Sequence, residues 1–191
     1  MPHPLYLHLS KYVVVSESEF SDILNFFEKR KLSKKEIIMQ AGTKCNSNYF
    51  VAQGCLHMYL VNENGNEQTV QFGIENWWIT DFMAFQHQKT TDYFIQAVEN
   101  SEILCIDSKK QEELFKKFPQ VESYFRIIYQ TAYGAAINRL KYIFTYSKEV
   151  IYYKFREQFP DFVARVPQYL VATYLGLTPE YLSQIKHKQQ S

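Results

Sequence analysis

The stretch that most constrains the fold is Gln168-Tyr-Leu-Val-Ala-Thr-Tyr-Leu-Gly-Leu-Thr-Pro-Glu-Tyr-Leu-Ser-Gln-Ile-Lys186. Two short helices that cross steeply need a small residue where they touch, and the tight turn between them favours glycine. Ala172 and Gly176 stand at those two positions. Val171 and Leu175 can anchor the first helix, Leu177 can close the turn, and Leu182 and Ile185 can anchor the second. Thr178 suits an N-cap, Pro179 a first helical turn, and Glu180 the positive end of the dipole. The spacing predicts a helix-turn-helix.

Its second helix turns Glu180, Ser183, Gln184 and His187 away from the anchors. Those side chains can reach base edges in a major groove, Gln toward adenine and Glu toward cytosine N4. Thr173, Tyr174, Lys186 and Lys188 are expected at phosphate oxygens, which position a protein without specifying sequence. Charge is distributed in keeping with this. The chain carries +1 overall, but residues 1–138 hold 13 Lys/Arg against 16 Asp/Glu, and residues 139–191 hold 8 against 4. A basic C-terminus behind an acidic body is a weak signature of nucleic-acid contact. A helical hairpin packed on the body is the plain alternative.

Upstream, Gly42, Gly54, Gly65 and Gly73 punctuate short runs rich in Val, Ile, Phe and Tyr. That cadence fits a small antiparallel sandwich or barrel. Strands are expected at 36–40, 48–53, 55–61, 68–73, 93–98 and 102–107, with Asn64-Gly65 in a hairpin turn. Ser16 and Glu19 form a capping box for a helix running to about Glu28, where Lys29-Arg30-Lys31 complements the dipole. Ser108 and Gln111 suggest a second box, opening a helix that stops before Pro119. From Pro119 apolar residues recur at helical spacing to about Tyr146. That makes one helix of about 28 residues, roughly 42 Å long. So long a helix outgrows a domain of this size; one seam is expected on the β body and another against a second copy, with Gly134-Ala135-Ala136 allowing close approach.

Composition excludes several classes. With 46% hydrophobic and 21% charged residues the chain is an ordinary globular one, not disordered or collagen-like. No apolar run reaches the roughly 18 residues of a membrane span, and the N-terminus has no basic start or signal cleavage site. Cys45, Cys55 and Cys105 are too few for an iron–sulfur cluster and read as reduced core thiols, so a cytoplasmic location is expected. The five histidines include no His-x-His pair for a cupin-type metal site, and no nucleophile elbow or Walker loop is present. An enzyme is not expected, and no cofactor or metal is assigned; His57 and His87 are the two side chains to weigh as haem ligands.

Together these features resemble the Crp/Fnr superfamily of bacterial transcription regulators. The run Arg165-Val-Pro-Gln-Tyr-Leu-Val-Ala-Thr-Tyr-Leu-Gly-Leu-Thr-Pro-Glu-Tyr-Leu-Ser-Gln-Ile-Lys is similar to that of Bacteroidetes members. The resemblance implies an α+β fold: a cyclic-nucleotide-binding-like β-roll over 1–117, a long dimerisation helix over 118–146 and a helix-turn-helix domain over 147–191. It implies double-stranded DNA as partner, contacted by Thr178, Glu180, Tyr181, Ser183, Gln184, Lys186, His187 and Lys188. It also implies a homodimer through the long helix, RNA polymerase as a partner if the protein activates, and no membrane. Where family members carry a phosphate cassette with Arg, this chain has Ile79-Thr-Asp-Phe-Met-Ala84 and Thr91-Asp-Tyr93. Thr91 replaces the Arg that holds the cyclic phosphate, and Asp92 adds a like charge; cyclic AMP is not the expected ligand. An unidentified small-molecule effector would sit near Trp78, Asp81, Thr90, Thr91 and Tyr93, with Trp77 close by. For the two tryptophans, core packing is the alternative.

Overall fold

The structure is a computed structural model describing residues 2–188. In chain order its elements are α1 Pro4–Leu9, α2 Glu17–Leu24, β1 Glu28–Leu32, β2 Ile37–Met39, β3 Ser47–Gln53, β4 Leu56–Val61, β5 Glu67–Gly73, β6 Trp78–Ile79, α3 Phe82–His87, β7 Phe94–Ala97, β8 Ser101–Asp107, α4 Ser108–Lys117, α5 Pro119–Thr145, α6 Lys148–Gln158, α7 Pro160–Arg165, α8 Gln168–Tyr174 and α9 Pro179–Lys188. Two compact units result. One runs to Leu60 and takes in Gln71–Gln130; the other joins Val61–Val70 to the chain from Thr131 onward.

The strands form two four-stranded sheets, ordered β1-β8-β3-β6 and β2-β7-β4-β5. Strands β3 and β8 pair antiparallel and are buried on both faces, which is why they read as near-continuous apolar runs. Phe50, Leu104 and Ile106 on one face join a core built with Leu5 and Leu9 of α1, Phe20 and Ile23 of α2, Leu114 of α4 and Val121, Tyr124 and Phe125 of α5. Tyr49, Val51, Ile103 and Cys105 point the other way and are also buried, since side chains alternate along a strand. The Asn64-Gly65 turn forms as expected: Gly65 adopts φ 79°, a conformation that favours glycine, and Asn62 Oδ1 accepts from the N–H groups of Asn64 and Asn66.

Three local expectations are corrected. The Ser16/Glu19 capping box is present, but α2 ends at Leu24 rather than Glu28, and Glu28–Leu32 is an edge strand. Lys29 and Lys31 point to the same side of it and both pair with Glu102 of β8, at 3.0 and 3.1 Å. A lysine-rich edge resists pairing with other chains, and its cross-strand charge pairing hid the strand behind a basic cluster. At α4 the capping side chain is Asp107, which accepts from Lys110 N–H, so Ser108 is the first helical residue. Helices α1 and α3 and strand β6 were not anticipated, being too short to show periodicity.

Helix α5 has 27 residues, close to the expected length. Its buried positions, Val121, Tyr124 and Phe125, all lie in the first two turns. From Thr131 it is largely exposed, Gly134-Ala135-Ala136 included, and the exposed large apolar side chains there are Tyr133, Ile137, Leu140, Ile143 and Phe144. Tyr133, Ile137, Leu140 and Phe144 among them follow steps of four, three and four residues, which is heptad spacing. Among the described residues no helix is long and apolar enough to cross a membrane.

Candidate nucleic-acid interface

In the second unit, α8 and α9 form the helix-turn-helix that the spacing predicted. Val171 and Ala172 are fully buried, as are Leu182 and Ile185 at 1% exposure, with Leu170, Leu177, Val163 and Val166 closing the same core. The turn is a Schellman motif: Leu177 N–H donates to Ala172 O and Gly176 N–H to Thr173 O, with Gly176 at φ 72°. Thr178 caps α9 by accepting from Tyr181 N–H at 3.2 Å. From α6, Tyr153 donates its hydroxyl to Ile185 O and so braces α9.

Opposite that core, Thr178, Glu180, Tyr181, Ser183, Gln184, Lys186 and His187 are all exposed. Of these, Glu180, Ser183, Gln184 and His187 lie on one face of α9, opposite Leu182 and Ile185. Lys186 Nζ donates to Gln168 Oε1 at 3.4 Å, and Gln168 in turn donates to Val163 O, tying the two helices at the N-terminus of α8. Lys188 ends the helix, and its side chain lies outside the described residues.

Thr173 and Tyr174, expected at phosphates, are engaged elsewhere. Thr173 Oγ1 donates to Thr69 Oγ1 at 3.1 Å, and Thr173 O accepts from Gln68 Nε2. Tyr174 O accepts from Arg139 Nη2, and the Arg139 guanidinium lies 4.0 Å from the centroid of the Tyr174 ring. Sequence reasoning passed over Arg139, which sits beside Asn138 and Lys141 with no local signal to set it apart.

The candidate effector residues, all in the first unit, do not form one pocket. Trp78 is a core residue: its ring packs on Phe50 and Phe125, and its Nε1–H donates to Tyr124 Oη at 2.8 Å. That is the core alternative for Trp78, whereas Trp77 is half exposed. Asp81, Thr91 and Tyr93 are brought together. Asp81 Oδ1 caps α3 at Ala84 N–H, Oδ2 accepts from Thr91 Oγ1 at 2.8 Å, and Thr91 Oγ1 accepts from Tyr93 N–H. Thr90 is exposed and bridges to Lys44. His57 is buried and stacked on Tyr59, with Nε2 3.3 Å from Gln96 Oε1; burial lowers its pKa and that hydrogen bond partly offsets the shift. His87 lies in the last turn of α3. Among the described residues no group of three or more His, Cys, Asp or Glu could hold a metal ion. The three cysteines are buried thiols, and burial raises those of Cys45 and Cys105.

A two-sheet domain, a long helix and a C-terminal helix-turn-helix together make up an α+β architecture. Residues 29–118 match the cyclic nucleotide-binding domain. The chain is 31% identical over 108 residues to the regulatory protein HlyX of Actinobacillus pleuropneumoniae, a match covering 56% of this chain and 44% of that protein. The match thus spans less than half of the length of that curated relative. Among solved structures, a CooA mutant from Carboxydothermus hydrogenoformans superposes with a TM-score of 0.72 at 22% identity, covering 92% of this chain and 81% of that one. FixK2 from Bradyrhizobium japonicum also gives 0.72, at 14% identity, over 86% and 84%. These two likenesses establish the shared fold.

Proposed function

We propose that the protein is a dimeric, cytoplasmic DNA-binding transcription regulator of the Crp/Fnr type whose β-domain does not read cyclic AMP. The observation that carries this is the outward face of α9. Glu180, Ser183, Gln184 and His187 stand clear of a core that holds Leu182 and Ile185 rigidly, as a helix entering a major groove requires. The regulatory names of its relatives support the same reading. The 165–186 run supports a place among Bacteroidetes members, and an activator would add RNA polymerase as a partner.

In this reading two copies pair through Tyr133, Ile137, Leu140 and Phe144, and their α9 helices enter successive major grooves about 34 Å apart on a pseudo-palindrome. An effector would act by shifting the helix pair between arrangements that do and do not fit that spacing. The Asp81–Thr91 pair argues that this effector is not a cyclic phosphate.

Fluorescence anisotropy with labelled DNA from the gene's own upstream region tests the reading, at two salt concentrations and with or without millimolar cyclic AMP. Tight, salt-sensitive binding that ignores the nucleotide is expected. Binding that needs cyclic AMP would overturn the assignment of the β-domain. Binding no tighter than to a random duplex would leave a sensor that signals through protein contacts.

A further inference from the structure

Helix α8 ends with carbonyls that have no partner inside the helix, and these form the negative end of its dipole. The Schellman turn satisfies Ala172 O and Thr173 O. Strand β5 lies at the edge of its sheet. Arg139 reaches both elements. Its Nη1 donates to Val70 O of β5 at 2.6 Å, its Nη2 donates to Tyr174 O, and its plane stacks on the Tyr174 ring. One planar fork with fixed donor directions can bridge two carbonyls and stack at once, which a lysine cannot do. Beside it, Gln68 and Thr69 of β5 bind Thr173 directly. Thr69 is 1% exposed, so the contact is a sealed one.

We infer that Arg139 is a positioning residue for DNA binding: it clamps the β4–β5 hairpin segment to the end of α8 and so sets the recognition helix against α5. The inference rests on the regulator reading above. The clamp grips α8 at Thr173 and Tyr174, directly after Ala172 and two residues before Gly176. Any shift in the hairpin is therefore passed straight to the joint between α8 and α9. The grip leaves the outward face of α9 exposed, so it holds the helix for DNA and does not mask it.

The test uses the full chain with Arg139→Ala and Arg139→Lys, read by hydrogen exchange and by anisotropy on the binding site. In Arg139→Ala, exchange should rise about tenfold in both 61–70 and 168–176 together, while 94–107 stays as in the unaltered chain. DNA affinity should fall at least tenfold. Arg139→Lys keeps the charge but not the fork and should behave like the alanine variant. Thr69→Val, a milder change on the other side of the contact, should raise exchange in the same two segments by a smaller factor. Unchanged exchange in either segment, full rescue by lysine, or undiminished DNA binding by Arg139→Ala each overturns the inference. An unaltered chain that binds no DNA overturns the regulator reading, and the exchange measurement still decides whether the clamp exists.

Discussion

Thr91 donates its hydroxyl to the Asp81 carboxylate at 2.8 Å, and the other oxygen of that carboxylate caps α3. Both groups are thereby committed to each other, and the proposal that this domain does not read cyclic AMP rests on that pair. A ligand present at a thousand times its Kd adds about 4 kcal/mol to stability, which for a chain of this size raises Tm by several degrees. Millimolar cyclic AMP is expected to leave Tm unchanged in differential scanning fluorimetry.

Tyr124 is fully buried and joins three elements through its hydroxyl: Trp78 Nε1–H donates to it at 2.8 Å, and His8 Nδ1 lies 2.7 Å away. Tyr124→Phe keeps the ring but orphans the indole N–H in the core. The expected loss is about 1–3 kcal/mol, measured as a shift in urea midpoint at constant slope.

Burial lowers the pKa of His57, and likewise of His8 and His3, where Lys11 and Lys29 add to the shift. With folded values below the ordinary 6.5, the unfolded chain binds protons first as pH falls. The stabilisation is therefore complete above pH 6.5 and is lost progressively below it. The urea midpoint should be lower at pH 5.5 than at pH 7.5, and His57→Gln should shrink the difference. Glu19 and Glu102, lowered by Ser16 and by Lys29 and Lys31, act at more acid pH.

Leu140 is 47% exposed in the middle of the apolar stripe on α5. Leu140→Glu places a charge in the expected helix seam, where it cannot be buried without a partner. Sedimentation should show a dimer for the unaltered chain and a monomer for the variant, with far-UV circular dichroism preserved.

Gln184 lies exposed on α9, one residue before the buried Ile185. Glutamine favours adenine through N6 and N7, and arginine favours guanine through O6 and N7. Selection of binding sites with Gln184→Arg should move one symmetric position from A·T toward G·C; an unchanged preference there would remove Gln184 from the base contacts.

What the amino-acid order determined by itself was everything encoded locally. The helix-turn-helix was legible because a Schellman turn, a small crossing residue and two pairs of anchors must fall at fixed intervals, and Ala172, Gly176, Leu182 and Ile185 do so. The same holds for the Ser16 cap, the Gly65 turn and the length of α5, since backbone dihedrals and side-chain period are properties of neighbours in sequence. Tertiary structure decided whatever depends on a distant partner. Lys29 and Lys31 became an edge strand because Glu102 lies opposite them, and Trp78 became core because Tyr124 and Phe125 meet it. Thr173 is engaged by a hairpin about a hundred residues earlier, and Tyr174 by Arg139 of α5. Arg139 gained its place because two carbonyls, Val70 O and Tyr174 O, converge within reach of one guanidinium, a convergence that no local pattern encodes.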